Sequence, residues 1–91
     1  MAWRIRRYVA SARRHGISEE RMAYVIGTCP KPMVLEGPGP GEEDVLLFLA
    51  PDRGGIPLEV LALELPDDEL VVFHGMKVTR KNRATYDEVM R

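Results

Sequence analysis

The stretch VLLFLAPDRGGIPLEVLALELPDDELVVFHGM, residues 45–76, decides the fold. It holds three short apolar runs, 45–50, 58–65 and 70–76, separated by PDRGG and PDDE. In each separator a Pro-Asp pair starts a turn, and short apolar runs between turns are typical of strands joined by hairpins. Together with a further apolar run at 33–35, the pattern predicts a meander of three or four antiparallel strands.

Helical patterns flank this region on both sides. The spacing of apolar residues over 6–15 predicts a first helix, which Gly16 would end in the left-handed conformation. Ser18 is placed to cap a second helix, and Thr79 a third that runs from Arg80 to Met90. The expected fold class is therefore α+β: a small antiparallel sheet of three to four strands with two N-terminal helices and one C-terminal helix.

The composition is that of one ordinary globular domain spanning residues 1–91. Hydrophobic residues make up 45% of the chain and charged residues 30%, and no internal repeat is visible. A domain of this size buries only about two-thirds of its unfolded surface, so a stabilising partner is expected. Cys29 is the only cysteine, which fits a reducing compartment.

Neither a secretion signal nor a membrane span is expected. The longest apolar run, 45–51, is far shorter than the roughly 18 residues that a spanning helix needs. We therefore expect a cytoplasmic protein that does not act at a membrane. The glycines and prolines of 37–41, followed by the acids of 42–44, predict a mobile acidic loop.

The net charge of -1 hides a segregation of charge along the chain. Residues 1–21 carry six arginines against two glutamates, a net +4, and residues 74–91 carry a net +3. The middle of the chain, 22–73, has a net charge of -8. If the two basic ends meet in the fold, they form a surface for a polyanion. The alternative is that they are solvated helix faces.

A cationic cluster around the start of the third helix is the main candidate for function. The cluster comprises His74, Lys77, Arg80, Lys81, Arg83 and Tyr86. The helix beside it would aim backbone N–H groups at a bound phosphate. One cysteine and two widely separated histidines do not give the ligand spacing of a zinc site, and we expect neither a metal nor another cofactor.

Side chains of these types can cleave RNA without a metal. Cleavage needs a base for the 2'-hydroxyl, cations for the charge that builds on the phosphate, and an acid for the leaving oxygen. The alternative is structural. In that interpretation the basic residues solvate an exposed helix, Tyr86 packs in the core, His74 is a hydrogen-bonded sheet residue and His15 caps the end of a helix.

Three segments of the chain resemble the BrnT-type toxins. RHGISEE (14–20) is similar to the K-H-G-[VI]-S-x-E segment of that family, and PDRGGIPLEV (51–60) to its hairpin and following strand. KVTRKNRATYD (77–87) is similar to its closing K-A-T-x-x-E-R-x-x-Y-E helix. Met76 and Asn82 depart from the pattern, because the family commonly has Arg and Glu at these positions.

The resemblance implies a RelE-like fold and a bacterial toxin-antitoxin pair. Toxins of this type are endoribonucleases that block translation, and an antitoxin with a ribbon-helix-helix part holds them inactive. The expected partners are thus RNA and such an antitoxin, in a homodimer or a hetero-oligomer with the antitoxin. Because Met76 and Asn82 replace reactive residues, the alternative is a non-catalytic module that binds nucleic acid or protein.

The leading hypothesis assigns roles to eight side chains. Lys77, Arg80 and Arg83 bind the scissile phosphate, and His74 or Tyr86 handles protons. Three more residues are expected to contact RNA: Arg53 at a hairpin tip, Lys81 and His15.

Overall fold

A five-stranded sheet forms the centre of the structure, a computed structural model that describes residues 3–35 and 44–91. The strands are β1 (Arg4–Tyr8), β2 (Met33–Leu35), β3 (Val45–Pro51), β4 (Pro57–Leu65) and β5 (Glu69–Lys77). Their order across the sheet is β1-β5-β4-β3-β2. The acidic loop predicted over 37–44 lies outside the described residues except for Asp44.

The antiparallel meander runs from β2 to β5, with each strand paired to the next. The β3–β4 hairpin is held by Asp52, whose carboxylate accepts the N–H groups of Gly54 and Ile56 at 2.9 Å each. Gly55 completes the turn with φ at +84°, a conformation that favours glycine. The Pro-Asp signal therefore marks a real turn, and the side chain of Asp52 explains why.

The predicted fold class is wrong in its N-terminal part and in the type of sheet. The segment expected to be a first helix forms β1 and a short 3-10 helix, Ala10–Arg13. β1 pairs with β5 in parallel, so the sheet is mixed and has five strands. A single N-terminal α-helix remains in the described part of the chain. The antiparallel sheet with two N-terminal helices, which was expected as RelE-like, is not the fold of this chain.

β1 was mistaken for a helix because its pairing partner is at the other end of the chain. Ile5 and Tyr8 are half-buried and pack against the core, while the arginines between them are exposed. The register shifts between Ile5 and Arg7, so the inward-facing residues are spaced by three as on a helix. Local periodicity cannot separate such a strand from a helix turn.

Two α-helices cover opposite faces of the sheet. α1 (Glu19–Thr28) begins at Ser18, whose hydroxyl accepts the N–H of Arg21 at 3.2 Å, which confirms the predicted N-cap. α2 (Arg80–Val89) begins at Thr79, also as predicted. Within residues 3–35 and 44–91, neither helix has the length and apolar character that crossing a membrane requires.

Each helix packs over its own core. The α1 face of the sheet buries the larger cluster, with Met22 and Val25 of α1 against Phe48, Leu58, Val60, Leu70 and Val72. The α2 face buries Leu47, Leu49 and Tyr86, with Leu61 and Val78 at its border. Side chains of β3 and β4 alternate between these two cores, as strand geometry requires.

A β-bulge in β5 changes which face its last residues occupy. Ala62 pairs with Val72 but Leu61 pairs with His74, so Phe73 is an extra residue in the ladder. Without it, His74 would share the face of Val72 and point towards α1, because side chains alternate along a regular strand. The bulge thus turns His74 towards the α2 face.

Gly75, the next residue, allows α1 to approach the sheet closely. A Cβ atom at this position would overlap Sδ of Met22 and lie 2.9 Å from its Cγ. Since Met22 is fully buried, it has little room to move. We expect Gly75→Ala to lower the free energy of unfolding by about 1–3 kcal/mol, measured by urea denaturation.

Gly27→Ala is the matched control for this prediction. Gly27 lies in α1 with no atom within 4 Å of the added Cβ. Alanine is favoured over glycine in a helix by up to about 1 kcal/mol, so this variant should be at least as stable as the parent. Equal stability of the two variants would show that the contact with Met22 does not limit residue size at position 75.

Candidate functional site

A buried glutamate, Glu59, is at the centre of the candidate site. It lies on β4, is 4% exposed, and faces α2 rather than solvent. Its Oε1 accepts the backbone N–H of Thr79 at 2.8 Å, the Thr79 hydroxyl at 2.9 Å and the Asn82 side-chain amide at 3.1 Å. Its Oε2 lies 3.0 Å from Nε2 of His74. Both carboxylate oxygens therefore have partners.

These partners keep Glu59 ionised. Burial acts to raise the pKa of Glu59, but hydrogen bonds from the Thr79 N–H, the Asn82 amide, the Thr79 hydroxyl and His74 outweigh it. The net pKa is therefore below the ordinary value of 4.5. An ionised carboxylate only accepts hydrogen bonds, so Nε2 of His74 must carry a proton. In the neutral imidazole the other nitrogen, Nδ1, then has the free lone pair.

The carboxylate of Glu59 also takes the place expected for phosphate. The N-terminus of α2 was predicted to bind an anion through its backbone N–H groups. The structure instead places Glu59 there, bonded to the N-cap residue Thr79, whose hydroxyl donates to Glu59 and does not cap its own helix. The carboxylate of Glu59, which belongs to β4, thus complements the positive end of the α2 dipole.

His15 and His74, far apart in sequence, lie side by side. Their ring centroids are 5.7 Å apart with an interplanar angle of 68°. His15 lies just before Gly16, whose φ of +76° confirms the predicted left-handed residue. The preceding 3-10 helix runs along the edge of β5, where the Ser11 hydroxyl donates to the Phe73 carbonyl at 2.8 Å. This contact fixes the segment that presents His15.

A cleft of about 270 Å³ opens between β4, β5 and the start of α2. Glu59, His74 and Asn82 form its polar side, and Lys81 places a cation on its rim. The apolar side consists of Leu35, Leu47, Leu61 and Met76. Met76, one of the two departures from the BrnT pattern, thus widens the apolar wall, while Asn82, the other, holds Glu59.

The other predicted cations do not all reach this cleft. Lys77 and Arg83 line a second cleft of about 200 Å³ beside the exposed Ile56. Arg83 also approaches Asp87 at 3.4 Å, although both side chains are more than half exposed, so this pair contributes little. Arg80 is exposed at the first position of α2. The expected phosphate-binding set is therefore divided between two neighbouring surfaces.

Tyr86 lies in the core and not in a cleft. It is 7% exposed and packs against Leu47 and Leu49 under α2. Burial is the main cause that raises the pKa of its hydroxyl above the ordinary value of 10.0. A buried tyrosine with a raised pKa is poorly suited to proton transfer at neutral pH. The structure favours the structural interpretation for this residue.

Arg53 lies in a third cleft, at the other side of the β3–β4 hairpin. Its guanidinium carbon is 4.6 Å from the ring centroid of Tyr24 on α1. The same cleft contains the ion pair of Arg21 and Asp52, in which Nη2 of Arg21 is 2.8 Å from Oδ2 of Asp52. Arg53 is therefore separate from the surface that His74 and Lys81 share.

The two basic ends of the sequence approach each other where His15 contacts His74. β1, which carries three arginines of the first block, instead pairs with residues 69–72 of the acidic middle block, and Arg6 lies 3.6 Å from Glu69. Among the described residues, Arg14, Lys77, Arg80 and Lys81 form no ion pair, whereas Arg13 is bound to Glu19 at 2.6 Å. Exposed cations without acidic partners are typical of a surface for a polyanion.

Sequence reasoning missed Glu59, Thr79 and Asn82 as members of the site. The sequence pattern marks Glu59 and Glu64 only as polar positions of a strand whose alternation is imperfect. The signal was present in the sequence around it: Leu61 and Leu63, on the face of Glu59, are apolar, as are Leu58 and Val60 on the other face. A charged residue within a strand that is buried on both faces needs a partner for its charge.

Comparisons with protein-family models, with curated proteins and with solved structures gave no match for this chain. The resemblance to BrnT-type toxins accordingly stays a prediction.

Proposed function

We propose that the protein is a metal-independent endoribonuclease that uses the His74 and His15 imidazoles. The observation that carries the proposal is the pair of histidines 5.7 Å apart, one of them held by the ionised Glu59 at 3.0 Å. A histidine oriented by a buried carboxylate is suited to act as a general base. A second histidine beside it supplies the acid that the same reaction needs.

The proposed reaction is a transphosphorylation within the RNA backbone. Nδ1 of His74 takes the proton of a ribose 2'-hydroxyl, and the 2'-oxygen attacks the adjacent phosphorus. A bond forms between the 2'-oxygen and phosphorus, and the bond from phosphorus to the 5'-oxygen breaks. Protonated His15 gives its proton to that 5'-oxygen. The products are a 2',3'-cyclic phosphate and a free 5'-hydroxyl, and no oxidant or metal is consumed.

Lys81 is placed to stabilise the charge that builds on the phosphate. It lines the same cleft as His74 and has no ion pair among the described residues. Arg80, the preceding residue, is a second exposed cation at the start of α2. Lys77 and Arg83, in the neighbouring cleft, then bind the next phosphate along the RNA backbone. Cations outside the reacting centre add affinity without sequence preference.

The resemblance to BrnT-type toxins motivates the biological part of the proposal. Its three segments are dispersed in sequence, yet their residues His15, Glu59 and Thr79 belong to one site. We therefore propose that the protein is a toxin acting on cytoplasmic RNA to block translation. Its antitoxin, expected to have a ribbon-helix-helix part, would inhibit it by covering the cleft.

His74→Ala is expected to slow RNA cleavage by about 10²–10⁴-fold, the usual contribution of a general base. The assay is cleavage of an end-labelled single-stranded RNA in the presence of EDTA. The parent should yield fragments ending in a 2',3'-cyclic phosphate. The same oligonucleotide with deoxyribose at the cleaved position should stay intact, because it lacks the attacking hydroxyl.

Lys31→Ala is the control for loss of a cation, to be compared with Lys81→Ala. Lys31 is exposed and lies outside all three clefts. We expect the Lys31 variant to cleave at the parent rate and the Lys81 variant to be clearly slower. If the folded parent binds RNA in a salt-dependent way but leaves it intact, the protein is a binding module and the enzyme proposal fails.

A further inference from the structure

We propose that Tyr24 and Arg53 form a stacking site for an unpaired nucleobase of the bound RNA. This inference rests on the proposed function and extends it with a separate subsite. The Arg53 guanidinium covers one face of the Tyr24 ring at 4.6 Å, and Arg53 is itself exposed. The face of the Arg53 guanidinium that points away from Tyr24 is therefore open to solvent. A planar base can stack on this face and continue the column begun by the tyrosine.

The cleft around this pair is large enough for a base. Its volume is about 310 Å³, larger than that of the cleft at Glu59. Tyr24 and Arg53 form one part of its wall, and Ser18, Glu20 and Gly54 form the rest together with the ion pair described next. The flat surface is thus part of the wall of a cleft.

The position of Arg53 is fixed by its neighbour Asp52. The carboxylate of Asp52 accepts two backbone N–H groups of the turn and binds Nε of Arg21 at 2.9 Å. The hydrogen bond from the Ile56 N–H is the main cause that lowers the pKa of Asp52 from its ordinary value of 3.8. The ion pair of Arg21 and Asp52 therefore connects the turn to α1. It keeps Arg53, on the turn, near Tyr24, on α1.

The charges of this cleft favour a base over a phosphate. Arg21 is neutralised by Asp52, and Glu20 lies in the same wall as Arg53, so the cleft carries no net positive charge. A phosphate gains little in such a place, whereas stacking depends on the π-faces and not on net charge. The RNA contact that the sequence predicts for Arg53 is in this interpretation a contact with a base.

The site lies close to the proposed reacting centre. Ser18 lines it, and His15 is three residues earlier, so their Cα atoms are at most about 11 Å apart. A single strand that contacts His15 can therefore place a nearby base on Arg53. The subsite would hold a nucleotide that flanks the cleaved bond.

The test uses single-stranded deoxyoligonucleotides in which one 2-aminopurine is moved along the sequence. They bind without being cleaved, and 2-aminopurine fluorescence falls when the base stacks. With the parent protein, binding should quench the fluorescence strongly at one position. Arg53→Lys keeps the positive charge but removes the planar guanidinium, so this quenching should disappear. Tyr24→Ala should in addition weaken binding about tenfold, as for loss of one stacked base.

Two further variants separate this inference from the proposed enzyme. Tyr24→Phe keeps the ring and should quench like the parent. His74→Ala should quench normally but leave RNA intact. If Arg53→Lys quenches as the parent does, or if no position is quenched at saturating protein, the stacking site is overturned even when RNA is cleaved. If quenching is seen with the parent and lost in Arg53→Lys, but the parent does not cleave RNA, the stacking site is supported and the enzyme proposal fails.

Discussion

Replacing Glu59 by alanine is expected to lower the free energy of unfolding by at least about 1–3 kcal/mol, the usual cost of leaving a buried hydrogen-bond donor without its acceptor. The change leaves the Thr79 N–H, the Thr79 hydroxyl, the Asn82 amide and Nε2 of His74 without their shared acceptor. A domain of this size is stable by only about 5–15 kcal/mol in total, so the loss is a large fraction. Urea denaturation at neutral pH measures it.

Glu64→Ala on the same strand is the matched control. Glu64 is half-buried, and its side chain forms no hydrogen bond or ion pair among the described residues. Its removal should change the stability by no more than about 0.5 kcal/mol. If both variants lose the same small amount, the hydrogen-bond network around Glu59 does not stabilise the fold.

The stability that Glu59 provides should depend on pH in a defined direction. Its pKa in the folded protein is below the ordinary value of 4.5, so the folded state favours the ionised form. The contribution is fully present above the pKa of the unfolded chain and is lost as the pH falls through the lower, folded value. The difference in stability between parent and Glu59→Ala should therefore shrink in acid below pH 4.5.

Glu59→Gln is expected to keep the fold but to slow RNA cleavage by about 10²–10⁴-fold, as for loss of a general base. Glutamine can keep an oxygen towards Thr79 and Asn82. Its amide N–H₂ then faces Nε2 of His74 and donates to it. The imidazole proton has to move to Nδ1, the nitrogen that we propose takes the proton of the 2'-hydroxyl.

Nitrogen NMR of the imidazole rings provides a readout that is independent of activity. In the parent, the proton of neutral His74 should be on Nε2, and in Glu59→Gln on Nδ1. Cleavage at nearly the parent rate by a variant with the exchanged tautomer would contradict the assignment of His74 as the base. A variant that cleaves slowly but keeps the parent tautomer would show that the charge of Glu59 acts in another way.

Much of the local structure follows from short-range chemistry that is visible in the sequence. The Asp52 turn, the Ser18 cap and the left-handed Gly16 each depend on residues within four positions of one another. Interactions over such distances are encoded in a few adjacent side chains. The candidate residues His15, His74 and Lys81 were found for a similar reason, because their residue types carry chemistry wherever they lie.

The tertiary structure alone decided three features that make the site. β1 became a strand because it pairs with β5 at the far end of the chain, an interaction that local periodicity does not contain. The bulge at Phe73 placed His74 on the α2 face, and such a shift in register depends on the neighbouring strand. Glu59 is buried because the start of α2, from the end of the chain, packs over β4 and supplies Thr79 and Asn82 as its partners.

The sequence by itself therefore determined the hairpins, the caps and the segregation of basic residues towards the two chain ends. The tertiary structure decided which of those residues act together: His74 with Glu59 and His15, Arg53 with Tyr24, and Tyr86 with the core. The physical reason is the range of the interactions. Turns and caps are local, whereas the pairing of a buried charge requires groups from strands and helices that only the complete fold brings together.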